Sequence, residues 1–173
     1  MRILAFSASN SSVSINRQLV EYAASLIEGH AVETLDIHDY EMPIYRHDRE
    51  QADGIPQLAH DFLARIGAVD ALLVSFCEHN GNYSAAFKNL FDWCSRAEGK
   101  VWQGKRMALL STSPGGRGGA SVMEIASMQA PRFGGEVVGT LSVPSFHDNF
   151  ADGKLTDPAF VAELRALLEK LTA

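Results

Sequence analysis

The sequence predicts an α/β fold with an open, doubly wound parallel sheet of five strands, covered by helices on both faces so that the protein has three layers. Short apolar runs alternate with stretches of helical hydrophobic period along all 173 residues, and such alternation is typical of βα units. A barrel of eight such units needs about 250 residues, and no internal repeat indicates a solenoid. The open sheet is therefore the favoured architecture.

Five segments are predicted as strands. Residues 3–6 and 69–76 are short apolar runs of the kind that form strands buried on both faces. Residues 31–37 alternate between apolar and polar side chains, which is the period of a strand. The remaining two segments are residues 107–110 and 136–143.

Five helices are predicted from apolar stripes with a spacing of three and four residues. They cover residues 15–27, 56–66, 85–97 and 118–133, and the last follows Asp157 towards the C-terminus. Ser84 is the expected N-cap of the third helix. Asp157 and Pro158 are expected to begin the last one.

The composition excludes several classes of protein. Acidic residues outnumber Lys and Arg by 21 to 15, so the formal net charge is -6 and bulk nucleic-acid binding is not expected. The two cysteines, Cys77 and Cys94, form no CxxC pair, which argues against a zinc site and a disulfide framework. No apolar run has the length of a membrane span, and no signal peptide is recognisable. We therefore expect a cytoplasmic protein without metal, membrane or nucleic-acid partners.

The first candidate loop precedes the first helix. In doubly wound sheets ligands bind beyond the carboxyl ends of the strands, so the loops after strands 1, 3 and 4 are the ones to consider. Residues 7–16 contain five serines and two asparagines but neither glycine pattern of nucleotide-binding loops. The N–H groups of a helix N-terminus attract anions. A phosphate monoester is the predicted ligand, and ordinary helix capping is the alternative.

The second candidate loop, residues 77–84, is rich in groups that recognise the edges of an amide-like ring. Asn80 and Gly81 belong to this set, and Glu78 is either an acceptor for a ring N–H or hydroxyl or an exposed carboxylate. For His79 we favour a planar side chain that packs on a ligand or subunit over a catalytic base. For Cys77 we favour a small, half-buried residue over a nucleophile.

The third candidate loop, residues 111–119, holds four of the 14 glycines of the chain within five positions. Glycine lets the backbone approach a flat ligand closely and adopt positive φ. Arg117 within this loop is expected either to reach the phosphate of a second, mobile ligand or to be an exposed charge on a flexible segment.

Together these loops resemble the NAD(P)H-dependent FMN reductase family of the flavodoxin-like fold, and the resemblance covers nearly the whole chain. The matching residues occur in the order of the family's three motifs. They are Ser9, Ser14 and Asn16, then Glu78, Asn80, Gly81, Lys88, Asn89, Asp92 and Trp93, and finally Ser113, Gly115, Gly118 and Gly119. Residues 42–45, with Asp48, also resemble the family's loop after strand 2. The second motif with its helix is the most specific part.

Four positions depart from the family pattern. Ala8 replaces the first glycine, and Ser11 replaces an arginine on the phosphate side, which leaves hydroxyls and the helix dipole as phosphate partners. Cys77 and His79 replace a proline and a tyrosine near the flavin ring. These two changes bear on redox potential and acceptor preference more than on FMN binding.

The resemblance implies a flavodoxin-like sheet of order 2-1-3-4-5 and a single FMN-binding domain over residues 1–173. It implies that NADPH or NADH reduces bound FMN, which then reduces a small-molecule acceptor such as a flavin, quinone or azo compound. A homodimer or homotetramer is expected. The cofactor-binding residues implied are Ser9, Ser11, Ser14 and Asn16 for the phosphate, and Cys77, Glu78, His79, Asn80, Gly81, Ser113, Pro114, Gly115 and Gly116 for the ring. No side chain is assigned as catalytic, because the hydride step requires neither acid nor base.

Several alternatives stay open at this point. A flavodoxin-type electron carrier and a flavin-independent interaction module fit the same fold. A serine hydrolase using His147 and Asp148 is disfavoured, since no GxSxG elbow is present. The aromatic residues of helix 85–97 serve either a subunit interface or the core. Arg17 and Arg117 are either contacts for a 2′-phosphate or surface charges.

Overall fold

The protein, described by a computed structural model of residues 1–173, is built on a parallel sheet of five strands. The strands are β1 (Arg2–Ser7), β2 (Ala31–Asp36), β3 (Ala71–Phe76), β4 (Arg106–Thr112) and β5 (Glu136–Val143). Their order in the sheet is β2-β1-β3-β4-β5, and each neighbouring pair is parallel. The predicted sheet and its flavodoxin-like strand order are confirmed.

Helices cover both faces of this sheet. They are α1 (Ile15–Ser25), α2 (His47–Asp53), α3 (Gln57–Gly67), α4 (Ala85–Ala97), α5 (Ala120–Gln129), α6 (Phe146–Asn149) and α7 (Pro158–Thr172), with 3-10 turns at Ile37–Tyr40 and Pro131–Phe133. Both predicted caps are present. Ser84 Oγ accepts the N–H of Phe87 at 3.1 Å, and Asp157 Oδ1 accepts that of Ala159 at 2.8 Å.

The prediction of five helices in strict alternation with the strands is wrong in its count. The helix α2 lies between β2 and α3. Between β5 and α7 lie α6 and a two-stranded hairpin of β6 (Phe150–Ala151) and β7 (Lys154–Leu155). These elements are too short to show a hydrophobic period, which explains why the sequence pattern did not reveal them.

The helix predicted over residues 118–133 is shorter than expected. Gly118 and Gly119 have φ values of 59° and 80°, so α5 begins only at Ala120. Pro131 has no N–H to continue the helical ladder, and a separate 3-10 turn begins there. The loop after β4 consequently covers residues 113–119, two positions later along the chain than the predicted strand and helix would leave it.

The core lies on the two faces of the sheet, which the strand period separates. In β1, Leu4 and Phe6 face the side covered by α3, α4 and α5. Ile3 and Ala5 face the side covered by α1 and α7. All four are at most 1% exposed, as expected for a parallel sheet buried on both faces.

The strand register places the three candidate loops together. Ser7 at the end of β1 pairs with Ser75 of β3, and Phe76 at the end of β3 pairs with Ser111 of β4. The carboxyl ends of these three strands therefore lie side by side at one edge of the sheet. None of the helices has the combination of length and apolar character that crossing a membrane requires.

Candidate functional site

The loop between β1 and α1 is shaped by hydrogen bonds from its own backbone to its serines. Ser14 is the N-cap of α1, and its Oγ accepts the N–H of Arg17 at 3.2 Å. Ser9 Oγ accepts the N–H of Ser11 at 3.2 Å, and Ser11 Oγ accepts that of Val13 at 3.4 Å. Each hydroxyl thus accepts from the loop, and Ser14 Oγ also lies 3.5 Å from Ser7 Oγ within hydrogen-bond distance.

This arrangement leaves several backbone donors without an acceptor in the protein. They are the N–H groups of Ser9, Asn10, Ser12, Ile15 and Asn16. Such a group of donors at the N-terminus of a helix, where the macrodipole is positive, fits an anion such as a phosphate monoester. No Lys or Arg lies within residues 3–16, so a phosphate here would be bound by backbone and hydroxyl donors.

Asn16 has a different role from the one expected. Its side chain is 2% exposed and lies inside the protein. Asn16 Oδ1 accepts from Ser75 Oγ at 2.8 Å and from the N–H of Thr112 at 3.0 Å, and its Nδ2 donates to the Thr112 carbonyl at 3.1 Å. The predicted phosphate contact of Asn16 therefore falls to its backbone N–H, which has no acceptor in the protein. The Asn16 side chain joins α1 to the carboxyl ends of β3 and β4 and so fixes the position of the first loop.

Ala8 connects the first loop to the second. Its N–H donates to the Ser75 carbonyl at 2.8 Å. Its own carbonyl accepts from Ser84 Oγ at 2.8 Å and from Cys77 Sγ at 3.2 Å. Burial raises the pKa of the Cys77 thiol, so the group is a protonated donor rather than a nucleophile.

Residues 79–82 form a tight turn at the tip of the second loop. His79 and Asn82 exchange N–H···O bonds of 2.9 and 3.1 Å, and the central residues Asn80 and Gly81 have φ values of 52° and 75°. Positive φ at both central positions is typical of a type I′ turn. The imidazole of His79 is exposed and makes no hydrogen bond within the protein. The side chain is thus accessible to a ligand or a second subunit.

Glu78 supplies a cap to α5. The N-cap position of that helix is Gly119, which has no side chain to accept a bond. Glu78 Oε2 takes this role and accepts the N–H of Val122 at 2.9 Å, where a carboxylate also benefits from the helix dipole. The prediction of a ligand acceptor or an exposed carboxylate is corrected for this oxygen, which holds the second loop against the third.

Backbone donors are also available in the second loop. The N–H groups of Cys77, Glu78, Asn80 and Gly81 have no acceptor in the protein. They lie at the same edge of the sheet as the donors of the first loop, because Ala8 and Ser84 join the two loops. A ligand with an anionic end and a polar ring edge can therefore contact both loops.

The glycines of the third loop fall into two groups. A Cβ on Gly118 would lie 2.8 Å from Pro144 N, so this glycine and its positive φ are required by the protein's own packing. A Cβ on Gly115 or Gly116 would meet nothing within 4 Å. Only this second pair is available to a ligand, together with the neighbouring residues Ser113 and Pro114. Arg117 lies in the turn that precedes α5, where it donates to Ser121 Oγ at 3.0 Å.

The segment after β2 is tied to α4 and to the first loop. Asn89 Oδ1 accepts the N–H of Tyr45 at 2.9 Å, and its Nδ2 donates to the Met42 carbonyl at 2.9 Å. Trp93 Nε1 donates to the Pro43 carbonyl at 2.7 Å. A cleft of about 210 Å³ opens between this segment, α4 and Asn10. The sequence placed no site residue in this segment, although its resemblance to the family's loop was a signal.

The surroundings of the α4 aromatic residues and of Arg17 decide two of the open alternatives. Phe87, Phe91 and Trp93 are 1%, 8% and 0% exposed, so the aromatic face of α4 serves the core. Arg17 donates to Asp36 at 2.5 Å and is committed to that ion pair, which makes it a poor contact for a 2′-phosphate.

The chain is similar to known reductases in sequence and in fold. The family model described as NADPH-dependent FMN reductase matches residues 1–148. A quinone reductase of Pseudomonas putida is 36% identical over 106 residues, which cover 61% of this chain and 54% of the relative, so the match spans about half the length of that protein. The flavoenzyme NAD(P)H:(acceptor) oxidoreductase FerB of Paracoccus denitrificans superposes with a TM-score of 0.76 at 24% identity, covering 99% of this chain and 95% of that one. An azoreductase of Bacillus anthracis superposes with a TM-score of 0.63 at 16% identity over the full length of both chains. At such identities the two structures show the shared fold.

Proposed function

Because this chain belongs to the NADPH-dependent FMN reductase family, we propose that it is an FMN-dependent oxidoreductase that transfers electrons from NADPH or NADH to a small-molecule acceptor. Bound FMN supplies the hydride-accepting chemistry, which protein side chains lack. The observation that carries the proposal is the pair of donor sets that meet at one sheet edge: five N–H groups in the first loop and four in the second.

The first loop is the proposed phosphate site. Its unbonded N–H groups donate to the phosphate oxygens, and the hydroxyls of Ser9, Ser11 and Ser14 add donors. Asn16 acts through its buried bonds to Ser75 and Thr112, which fix the helix N-terminus relative to β3 and β4. The phosphate is thus recognised by backbone shape and by the dipole of α1.

The second and third loops are the proposed ring site. Four N–H groups, those of Cys77, Glu78, Asn80 and Gly81, offer donors to the polar edge of a flat ring, and donors of this kind stabilise negative charge that develops there. Gly115 and Gly116 allow the backbone of the third loop to approach the ring closely. Cys77 and Glu78 contribute through their backbone, since their side chains hold Ala8 and α5.

We further propose that residues 1–173 form one flavin-binding domain and that the protein acts as a homodimer or homotetramer in the cytoplasm. Quinones, azo compounds and free flavins are the acceptor classes to test first, because proteins named as quinone reductase and azoreductase are similar to this chain. A flavodoxin-type carrier without its own reductase activity is less well supported, since the family model describes a reductase.

A binding titration followed by a turnover assay tests the proposal. FMN added to the purified protein is expected to lose fluorescence as it binds, and the FMN-loaded protein is expected to oxidise NADPH or NADH when an acceptor is present. If FMN shows no saturable quenching, the flavin site is refuted. If FMN binds but neither nucleotide is oxidised with any of the three acceptor classes, the carrier function replaces the reductase.

A further inference from the structure

The phosphate end of the candidate site carries a carboxylate beside it. Glu41 lies in the segment after β2, and its Oε1 accepts from Asn10 Nδ2 at 3.2 Å. Asn10 is also one of the residues whose backbone N–H has no acceptor in the protein. The negative charge of Glu41 therefore lies within one side chain of the donors proposed to bind phosphate.

Glu41 forms no ion pair within the protein. Ser11, at the tip of the first loop, is exposed and neutral. The arginine nearest to Ser11 along the chain, Arg17, is paired with Asp36. Arg46, in the same segment as Glu41, is paired with Asp48. A phosphate dianion would thus meet neutral donors, a helix dipole and one negative side chain.

The contact between Glu41 and Asn10 also occupies one of the two N–H donors of the Asn10 amide. The amide of Asn10 is the one side-chain amide on the exposed surface of the first loop, and its Nδ2 is directed at Glu41. Glu41 consequently opposes phosphate binding twice, by its charge and by engaging this amide.

We propose that Glu41 is a specificity-determining residue that lowers the preference of the site for a phosphorylated flavin over an unphosphorylated one. This inference rests on the proposed flavin-binding function. It assigns to Glu41 an effect on the phosphate alone, because its one side-chain hydrogen bond is with Asn10 of the first loop. Riboflavin, which has the same ring and no phosphate, is the matched ligand that separates the two ends of the site.

The test compares the dissociation constants of FMN and riboflavin, measured by quenching of flavin fluorescence, in the wild-type protein and in Glu41→Gln. Glutamine keeps an oxygen for the Asn10 amide and removes only the charge. FMN affinity is expected to rise about two- to fivefold, as for one exposed charge acting through solvent, while riboflavin affinity stays the same. The control is Glu163→Gln on α7, an exposed position where the same change in net charge is expected to alter neither affinity.

Salt provides a second readout. At about 1 M salt the screening length is only about 3 Å, so the difference in FMN affinity between Glu41→Gln and wild type is expected to shrink. An unchanged ratio of FMN to riboflavin affinity in Glu41→Gln overturns the inference, as does an equal rise for both flavins or a difference that high salt leaves undiminished. Failure of the wild-type protein to bind either flavin refutes the proposed function itself, which distinguishes the two failures.

Discussion

The buried side chain of Asn16 offers the sharpest test of how the site is built. Replacing it with alanine removes three hydrogen bonds of 2.8 to 3.1 Å to Ser75 and Thr112. These partners are 0% and 1% exposed, so water does not readily replace the lost amide. The substitution therefore leaves buried polar groups unpaired at the carboxyl ends of β3 and β4.

The magnitude follows from the bonds that are lost. Each contributes about 1 kcal/mol net, and a buried group left unpaired costs about 1–3 kcal/mol, whereas alanine returns about 0.6 kcal/mol through its higher helix propensity. We expect Asn16→Ala to lower the free energy of unfolding by about 3 kcal/mol. For a chain of this length the corresponding drop in Tm is about 6–12 °C.

Urea unfolding monitored by circular dichroism measures this change, with the m-value expected to stay constant. The matched control is Gln18→Ala, which removes an amide from the exposed side of the same helix and is expected to change stability by less than about 0.5 kcal/mol. A loss of less than about 1 kcal/mol in Asn16→Ala would refute the assigned network. The double variant with Ser75→Ala is expected to lose less than the sum of the two single variants, because both remove the same bond.

Two further outcomes follow from the packing of the loops and the burial of the thiols. Gly118→Ala places a Cβ 2.8 Å from Pro144 N at a φ of 59°, so we expect the free energy of unfolding to fall by about 2 kcal/mol or more, as measured by thermal unfolding. The control is Gly116→Ala, whose Cβ meets nothing within 4 Å and which is expected to leave stability unchanged. Burial raises the pKa of Cys77 and raises that of Cys94 to about 12, so both thiols are expected to react with an aromatic disulfide reagent at pH 8 only after unfolding. Rapid reaction of one thiol in the native protein would contradict this.

The strands were predictable because parallel strands buried on both faces are read directly as apolar runs. The segment at residues 71–76 is such a run, and all six of its residues are buried. The helix α2 was not predictable from periodicity, because its seven residues include no buried side chain. It is held instead by long-range polar contacts such as that of Glu50 with Arg96 at 2.9 Å, which no local pattern contains.

The loops of the candidate site were predictable, but the roles of their side chains were less so. The sequence motif identified Asn16 and not the direction of its side chain. The helical period contained the missing information, since Asn16 lies three, four and seven residues before Leu19, Val20 and Ala23, all of which are buried. For Glu78 no such signal existed, because its partner Val122 is 44 residues away along the chain.

These corrections change how the site should respond to substitution. Where polar side chains bind a ligand directly, their removal weakens binding and leaves the fold intact. Here Asn16, Glu78 and Cys77 bind neighbouring backbone instead, and the groups left available to a ligand are mostly main-chain N–H groups. Recognition by main chain depends on the loops keeping their relative positions. Substitutions at these three residues are therefore expected to lower stability and flavin affinity together, whereas a change at exposed Glu41 can alter affinity alone. The three buried contacts thus determine the positions of the loops, whereas Glu41 determines how strongly the formed site binds a phosphate.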